Sequence, residues 1–246
     1  MRILITDLSD PTFHKDKVVR VLSKEPLPFI ASLISKDVPG MVEVAERIPL
    51  GRRKYVSFQA TITGMGGTEW EPNVGPPSDN LEALEELVEI MGSDNVSLRY
   101  DPIVPGVNNG LSEVCRTLYL ANEAGVRRVT VSVLDVYGHR RSDVERLLGR
   151  KVYGKHFPAT ERRQAIDMLL KVAKHLNMEI AVCCEEGYPQ PSGCDWIVQS
   201  LKRLGLSPEA LISGTQRQLC GCPKMSQILS YSDQCAHGCV YCYRRG

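Results

Sequence analysis

Residues 54–92 read KYVSFQATITGMGGTEWEPNVGPPSDNLEALEELVEIMG. Three patterns follow one another in that stretch. Residues 54–63 alternate apolar and polar β-formers and predict a strand. Residues 64–78 hold four Gly and three Pro and cannot be regular structure. From Asn80, placed as a cap, an amphipathic helix runs to Gly92. Together they make one β/α unit with a glycine-rich loop between strand and helix.

The unit recurs outward in both directions. Residues 2–6, 29–34, 95–104, 127–137 and 177–184 read as further strands. Residues 13–24, 40–48 (with Pro39 just ahead), 111–124 and 159–176 (from Thr160) read as helices. Repeated β-then-α units imply parallel strands joined by right-handed crossovers. The expected fold class is α/β: a TIM-like parallel β/α barrel, complete or partial, with a doubly wound sheet as the alternative. Residues 195–204 predict a helix, and KMSQILSYS (224–232) predicts a last strand. Residues 1–184 form the barrel core in this reading. Residues 185–246 are a cysteine-rich segment completing the same domain.

In parallel folds, sites form at the C-terminal ends of strands. TGMGGTEWEPN, RYDP, SVLDVYGHR and CCEEG all leave strands there. Any one of them reads as a turn or cap; four together predict a polar pocket. Glu71 and Glu69 sit on the glycine-rich loop, and Glu71 is the better ligand candidate. Arg99 and Asp101 share a strand face. Ser132 and Asp135 are similar candidates on the next strand.

Composition limits the function classes. The chain has 246 residues, 43% hydrophobic and 24% charged, with a formal net charge of +1. Bulk charge therefore gives nucleic-acid binding no support. No apolar run approaches the roughly 20 residues of a membrane span, and the expected location is the cytoplasm. The histidines are scattered, with no metal-histidine or Ser-His-Asp spacing. Of nine cysteines, Cys115 stands in an apolar helical pattern and reads as core, while the other eight all follow residue 182. Core packing does not explain that gradient; metal binding does.

The decisive run is CAHGCVYCY at 235–243, with Cys235, Cys239 and Cys242 in a C-x3-C-x2-C pattern. A closed zinc site takes four ligands. Cys220, Cys222, Cys235 and Cys239 would supply four, leaving Cys242 unused. An iron–sulfur cubane on three cysteines instead leaves one iron open to a small chelating molecule. Cys183 or Cys184, with Cys194, Cys220 and Cys222, offer four more thiolates. These could close a second cluster or a zinc site, or pack as small hydrophobes.

The C-x3-C-x2-C run with Tyr241 before its last cysteine resembles the signature of radical S-adenosylmethionine enzymes. More widely, SFQATITGMGGTEWEPNVGPP (57–77), RYDPIV (99–104), SVLDVY (132–137), CGC (220–222) and CAHGCVYCY are similar to a bacterial family called domain of unknown function eighteen-forty-eight. Its members look like rearranged radical enzymes with the cysteine run at the C-terminus. The last stretch is also similar to the cluster loop of spore photoproduct lyases. The resemblance implies a 4Fe-4S cluster on Cys235, Cys239 and Cys242, and S-adenosyl-L-methionine chelated at the open iron. Reduction would then cleave the cofactor to a 5′-deoxyadenosyl radical that abstracts hydrogen from a substrate.

Further expectations follow from the same resemblance. Glu71, Arg99, Asp101, Ser132 and Asp135 would hold the cofactor, and Tyr241 would lie against its adenine. Cys184, Cys194, Cys220 and Cys222 would hold a second, auxiliary cluster. His237, inside the loop, would tune the first cluster by hydrogen bonding. The partners implied are a reductant such as flavodoxin or ferredoxin and a substrate the sequence does not name. The alternative is a non-enzymatic zinc-binding or electron-transfer protein. The N-terminal RILITDLSDP departs from the family's pattern, and the sequence leaves open whether it closes against KMSQILSYS.

Overall fold

The structure, a computed structural model, describes residues 1–188, 195–207, 220 and 222–244. Seven strands form one sheet: β1 (Arg2–Ile5), β2 (Phe29–Ser35), β3 (Val56–Thr61), β4 (Val96–Ile103), β5 (Arg128–Val133), β6 (Glu179–Val182) and β7 (Ser226–Gln227). Their order is β6-β5-β4-β3-β2-β1-β7, and every neighbouring pair is parallel. Strands β1 to β6 advance one place at a time, as in a barrel, and β7 returns to the far side of β1. A doubly wound sheet would reverse direction midway. Among the described residues β6 and β7 remain the two edges, so the barrel is partial and unclosed.

The helices are α1 (Lys15–Lys24), α2 (Val38–Arg47), the single turn α3 (Leu50–Arg53), α4 (Pro77–Met91), α5 (Leu111–Glu123), α6 (Arg141–Leu148), α7 (Ala159–His175) and α8 (Asp195–Arg203). Alternation along the strands separates the two sheet faces. Phe29, Ala31, Leu33, Val56, Phe58, Ala60, Leu98, Val129 and Val131 join one large core with Val18 of α1, Met41 of α2, Leu84 of α4, Leu118 of α5 and Leu169 of α7. Burial of that apolar face is the main force holding the fold.

The opposite face is polar where most barrels are aliphatic. Ser32, Ser57, Gln59, Thr61, Ser97, Thr130 and Ser132 are all buried on it. Gln59 Nε2 donates to Ser32 Oγ (2.6 Å), and Arg99 donates to Gln59 Oε1 (2.9 Å), so side chains on three strands are linked. At its lower end this face is covered by α8, where Ile197 and Leu201 pack on Ile3 and Ile30. Arg203 donates to the carbonyls of Asp94 and Lys54, just before β4 and β3. Helix α8 therefore plugs the N-terminal end of the half-barrel.

Several boundaries differ from expectation. Asn80 is not a cap: α4 starts at Pro77, since proline fits a first turn whose N–H has no helical partner. Asn80 Oδ1 instead accepts from Val38 N (2.8 Å), tying α4 to the start of α2. Helix α2 begins at Val38, with Asp37 as its cap accepting from Gly40 N (3.0 Å). The last strand shrinks to two residues. Beyond it, Asp233 accepts from Ser230 N (2.7 Å) and closes a turn instead. The open question about the N-terminus is answered: Leu4 pairs with Ser226 and Ile5 with Gln227, and Ile228 N donates to Ile5 O (2.9 Å). No helix among the described residues is long and apolar enough to cross a membrane.

Candidate metal and cofactor site

Because β7 lies beside β1, the chain leaving it arrives at the C-terminal end of the sheet. Residues 234–243 are laid over that end and fastened from several strand exits. From the β1 side, a ring nitrogen of His14 bonds Gln234 O (2.8 Å), and Tyr243 OH donates to Asp7 O (2.9 Å). From the β3 exit, Asn73 donates through its amide to Ala236 O (2.8 Å) and through its backbone to His237 O (3.1 Å). Val240 N returns a bond to Trp70 O (3.0 Å). From the β5 exit, Arg140 Nε donates to Val240 O (2.6 Å). Gly238, at φ 73°, supplies the left-handed turn between the first two cysteines.

Cys239 is buried, Cys242 is half-buried and Cys235 is exposed. Cys239 feels the other two thiols electrostatically, and Cys235 feels Cys242. Among the described residues, however, no three His, Cys, Asp or Glu groups converge on one ion. A polynuclear cluster places a separate metal atom at each thiolate, which three thiols of one loop can supply. Burial raises the Cys235 thiol pKa and pushes Cys239 up to about 12, the nearby Lys36 charge being too little to offset it. Free, these are inert thiols; a bound metal is what deprotonates such a group. The backbones of His237 and Asp10 lie beside the Cys235 sulfur and work against that rise in its pKa. The donor set thus fits a three-thiolate cluster.

Two buried polar knots flank the thiols. In the first, His237 Nε2 meets Asp10 Oδ2 at 2.7 Å and its Nδ1 faces Asn73 O at 3.4 Å, with Phe13 edge-on to the ring. Burial alone would lower the His237 pKa; the bond and charge of Asp10 outweigh it and hold it up. In the second, Glu71 Oε1 accepts from Lys36 Nζ (2.9 Å), Thr63 Oγ1 (2.7 Å) and Tyr241 OH. Lys36 Nζ also lies 5.7 Å from the Tyr241 ring centre. Burial would raise the Glu71 carboxyl, but Lys36 and the two hydroxyls hold it below the usual range.

Of the residues singled out in the sequence, Glu71 and Tyr241 come together beside Cys239. Tyr241 is buried, with its hydroxyl committed to Glu71. Arg99 and Asp101 form an ion pair on the polar face. Ser132 is buried on the next strand. Asp135 is engaged by Lys155 (3.0 Å) and His156 (2.8 Å). Glu69 is exposed. The glycine loop folds tightly on itself. At Gly66 the close approach is to the loop itself: a Cβ there would meet Gly75 O at 2.1 Å.

The second thiolate set is placed only in part, because Cys194 lies outside the described residues. Cys183 and Cys184 follow β6 with sulfurs 3.8 Å apart, and Cys184 has φ 59°. Cys222 N donates to Cys220 Sγ (3.4 Å). Cys222 is disulfide-bonded and packs near Ile3 and Ile30.

Asp10, Lys36, Thr63, Asn73 and Arg140 were not foreseen. Asp10 stands before Pro11 and Lys36 just after a strand, and neither belongs to a recognisable motif. The one available signal was that Lys36 leaves a strand at its C-terminal end, where the other candidates also cluster.

A family model described as Domain of unknown function (DUF1848) matches residues 6–244. No curated protein matches the chain. Among solved structures, a Burkholderia cenocepacia J2315 protein provisionally assigned as a lyase/mutase aligns at 16% identity. It covers 82% of this chain and 81% of that one, with a TM-score of 0.27. The carboxyl transferase domain of Rhizobium etli pyruvate carboxylase aligns at 9% identity over 75% of this chain and 40% of that one, TM-score 0.24. Neither likeness bears on what this chain does.

Proposed function

The chain belongs to the DUF1848 family; on that premise and on its three-thiol loop, we propose that it is a radical S-adenosylmethionine enzyme with a 4Fe-4S cluster on Cys235, Cys239 and Cys242. One observation carries the reading. Three thiols, on a loop without a fourth cysteine, lie together over the C-terminal ends of a parallel partial barrel. A cluster with three protein ligands, when bound, supplies one-electron reductive cleavage of S-adenosylmethionine chelated at its open iron.

The chain's own residues bind and orient. Glu71 serves the cofactor's amino group, oriented by Thr63 and Tyr241. Arg99 and Asp101 serve its carboxylate and ribose, with Ser132 and Asp135 on the neighbouring strand. The polar face below receives a substrate of unnamed class. A flavodoxin or ferredoxin in the cytoplasm supplies the electron. Cys184, Cys194 and Cys220 are the candidates for an auxiliary cluster, and Cys222 joins them only once its disulfide is reduced.

The test is anaerobic reconstitution with iron and sulfide counts, then EPR of the reduced protein with and without S-adenosylmethionine. Four irons and four sulfides per chain, or eight with an auxiliary cluster, and a spectrum that changes on adding the cofactor are expected. An unchanged spectrum sinks the proposal. So does a Cys242→Ala chain that still holds its metal, as a zinc site on Cys220, Cys222, Cys235 and Cys239 would.

A further inference from the structure

The N-terminal segment RILITDLSDP carries a group whose surroundings are more elaborate than a turn requires. Asp10 is 6% exposed. Its Oδ1 accepts from Thr12 N (3.0 Å), Thr12 Oγ1 (2.9 Å) and Ser35 Oγ (2.7 Å). Its Oδ2 accepts from Lys36 N (3.0 Å) and meets His237 Nε2 (2.7 Å), with Ser35 Oγ again at 2.8 Å. These donors come from three places: the β1 exit itself, the β2 exit, and the middle of the Cys235–Cys239 arc. Both oxygens face obligate backbone donors, so only a carboxylate satisfies the site. An asparagine would turn an NH2 group against one of the N–H groups.

His237 is the centre of that arc and is 4% exposed. Its second nitrogen faces the β3 loop through Asn73 O (3.4 Å), and Phe13 closes the ring's edge at 4.9 Å. The side chains of Asp10 and His237 hold each other, and both backbones lie beside the Cys235 sulfur. Hydrogen bonds to cluster sulfurs tune the metal, and partners that orient ligands are typically worth about 10–100-fold in metal affinity.

We infer that Asp10 is a positioning residue for the metal loop, acting through His237 to pre-form the Cys235–Cys239 arc. The inference rests on the cluster reading above. It assigns a role to the segment that departs from the family's pattern.

The experiment compares the reconstituted wild type with Asp10→Asn, His237→Leu and the double variant. It measures the rate of iron loss to a chelator, the midpoint potential and the EPR spectrum. A thermal melt of each metal-free chain confirms folding. Each single variant is expected to lose iron at least about tenfold faster. The double variant should lose it no faster than the worse single, because the two residues act as one unit. Potential and EPR spectrum should shift in both. If Asp10→Asn does not fold, His237→Leu alone carries the comparison, since its position lies outside every strand and helix. Folded variants with lowered melting temperature but unchanged potential, spectrum and iron loss would mean mere packing and overturn the inference. A wild-type chain that takes up no four-iron cluster overturns the parent reading, and this one with it.

Discussion

Replacing Lys36 by Met leaves the Glu71 carboxylate buried with only hydroxyl donors. The glutamate side chain is 1% exposed and the lysine 14%, so water cannot replace the ammonium. Breaking a buried pair from one side costs about 3–5 kcal/mol, because a charge is left unpaired. For a chain of this size each kcal/mol lowers the melting temperature by roughly 2–4 °C, so a fall of roughly 10 °C is expected. Glu71→Gln should cost less, about 1–3 kcal/mol: the amide oxygen still accepts from Thr63 and Tyr241, and the ammonium can turn to the surface. With both replaced no charge remains buried, and the double variant should be more stable than Lys36→Met alone. The coupling is then at least the cost of Glu71→Gln itself, about 1–3 kcal/mol. Urea unfolding of the metal-free chain, read by tryptophan fluorescence, measures it; Trp70 reports directly because it lies in the same loop as Glu71 and is buried. Single effects that simply add, to within about 0.5 kcal/mol, would refute the claim that the pair acts as a unit.

Further outcomes follow from the same coordinates. The Glu71 carboxyl is held below its ordinary value of 4.5, chiefly by Lys36 working against burial. Its contribution is therefore fully present above that pH and lost as pH falls through the lowered value. The stability gap between wild type and Glu71→Gln should narrow on acidification in urea melts, and a gap that widens contradicts the assignment. Gly66→Ala should cost at least about 2 kcal/mol, since its Cβ would meet the Gly75 carbonyl at 2.1 Å and backbone must move; an unchanged melting temperature would show that the loop gives way freely. Arg140→Ala removes the 2.6 Å bond to Val240 O from the β5 side. It should speed proteolysis after residue 229 while the sheet stays resistant, and equal cleavage rates would mean the other fastenings suffice.

How much of this was legible beforehand depends on the kind of residue. Strand-and-helix alternation was plain, because parallel strands buried under helices are written as short β-rich runs between 3.6-period stretches. The unrecognised turn α3 and helix α6 lack that apolar run. The cysteine triad was legible because its ligands are neighbours in sequence. Glu71 stood out on a loop whose glycines and prolines exclude regular structure. Lys36 and Asp10 did not stand out, since a lone lysine or aspartate at a strand exit looks like any solvated turn. Only burial against partners far away in sequence gives them meaning: Asp10 meets His237 across 227 positions, and Lys36 meets Glu71 across 35.

The sequence by itself determined the β/α repeat, the three-cysteine run and the crowding of polar groups at strand exits, all of which are local patterns. The tertiary structure decided the rest. Pairing β1 with β7 places a loop from the chain's end beside residues from its beginning. The inward face of the sheet proved polar, and α8 proved to be a plug rather than an outer helix. Those outcomes depend on which distant segments share a sheet edge or a buried carboxylate. No periodicity within a single segment encodes that.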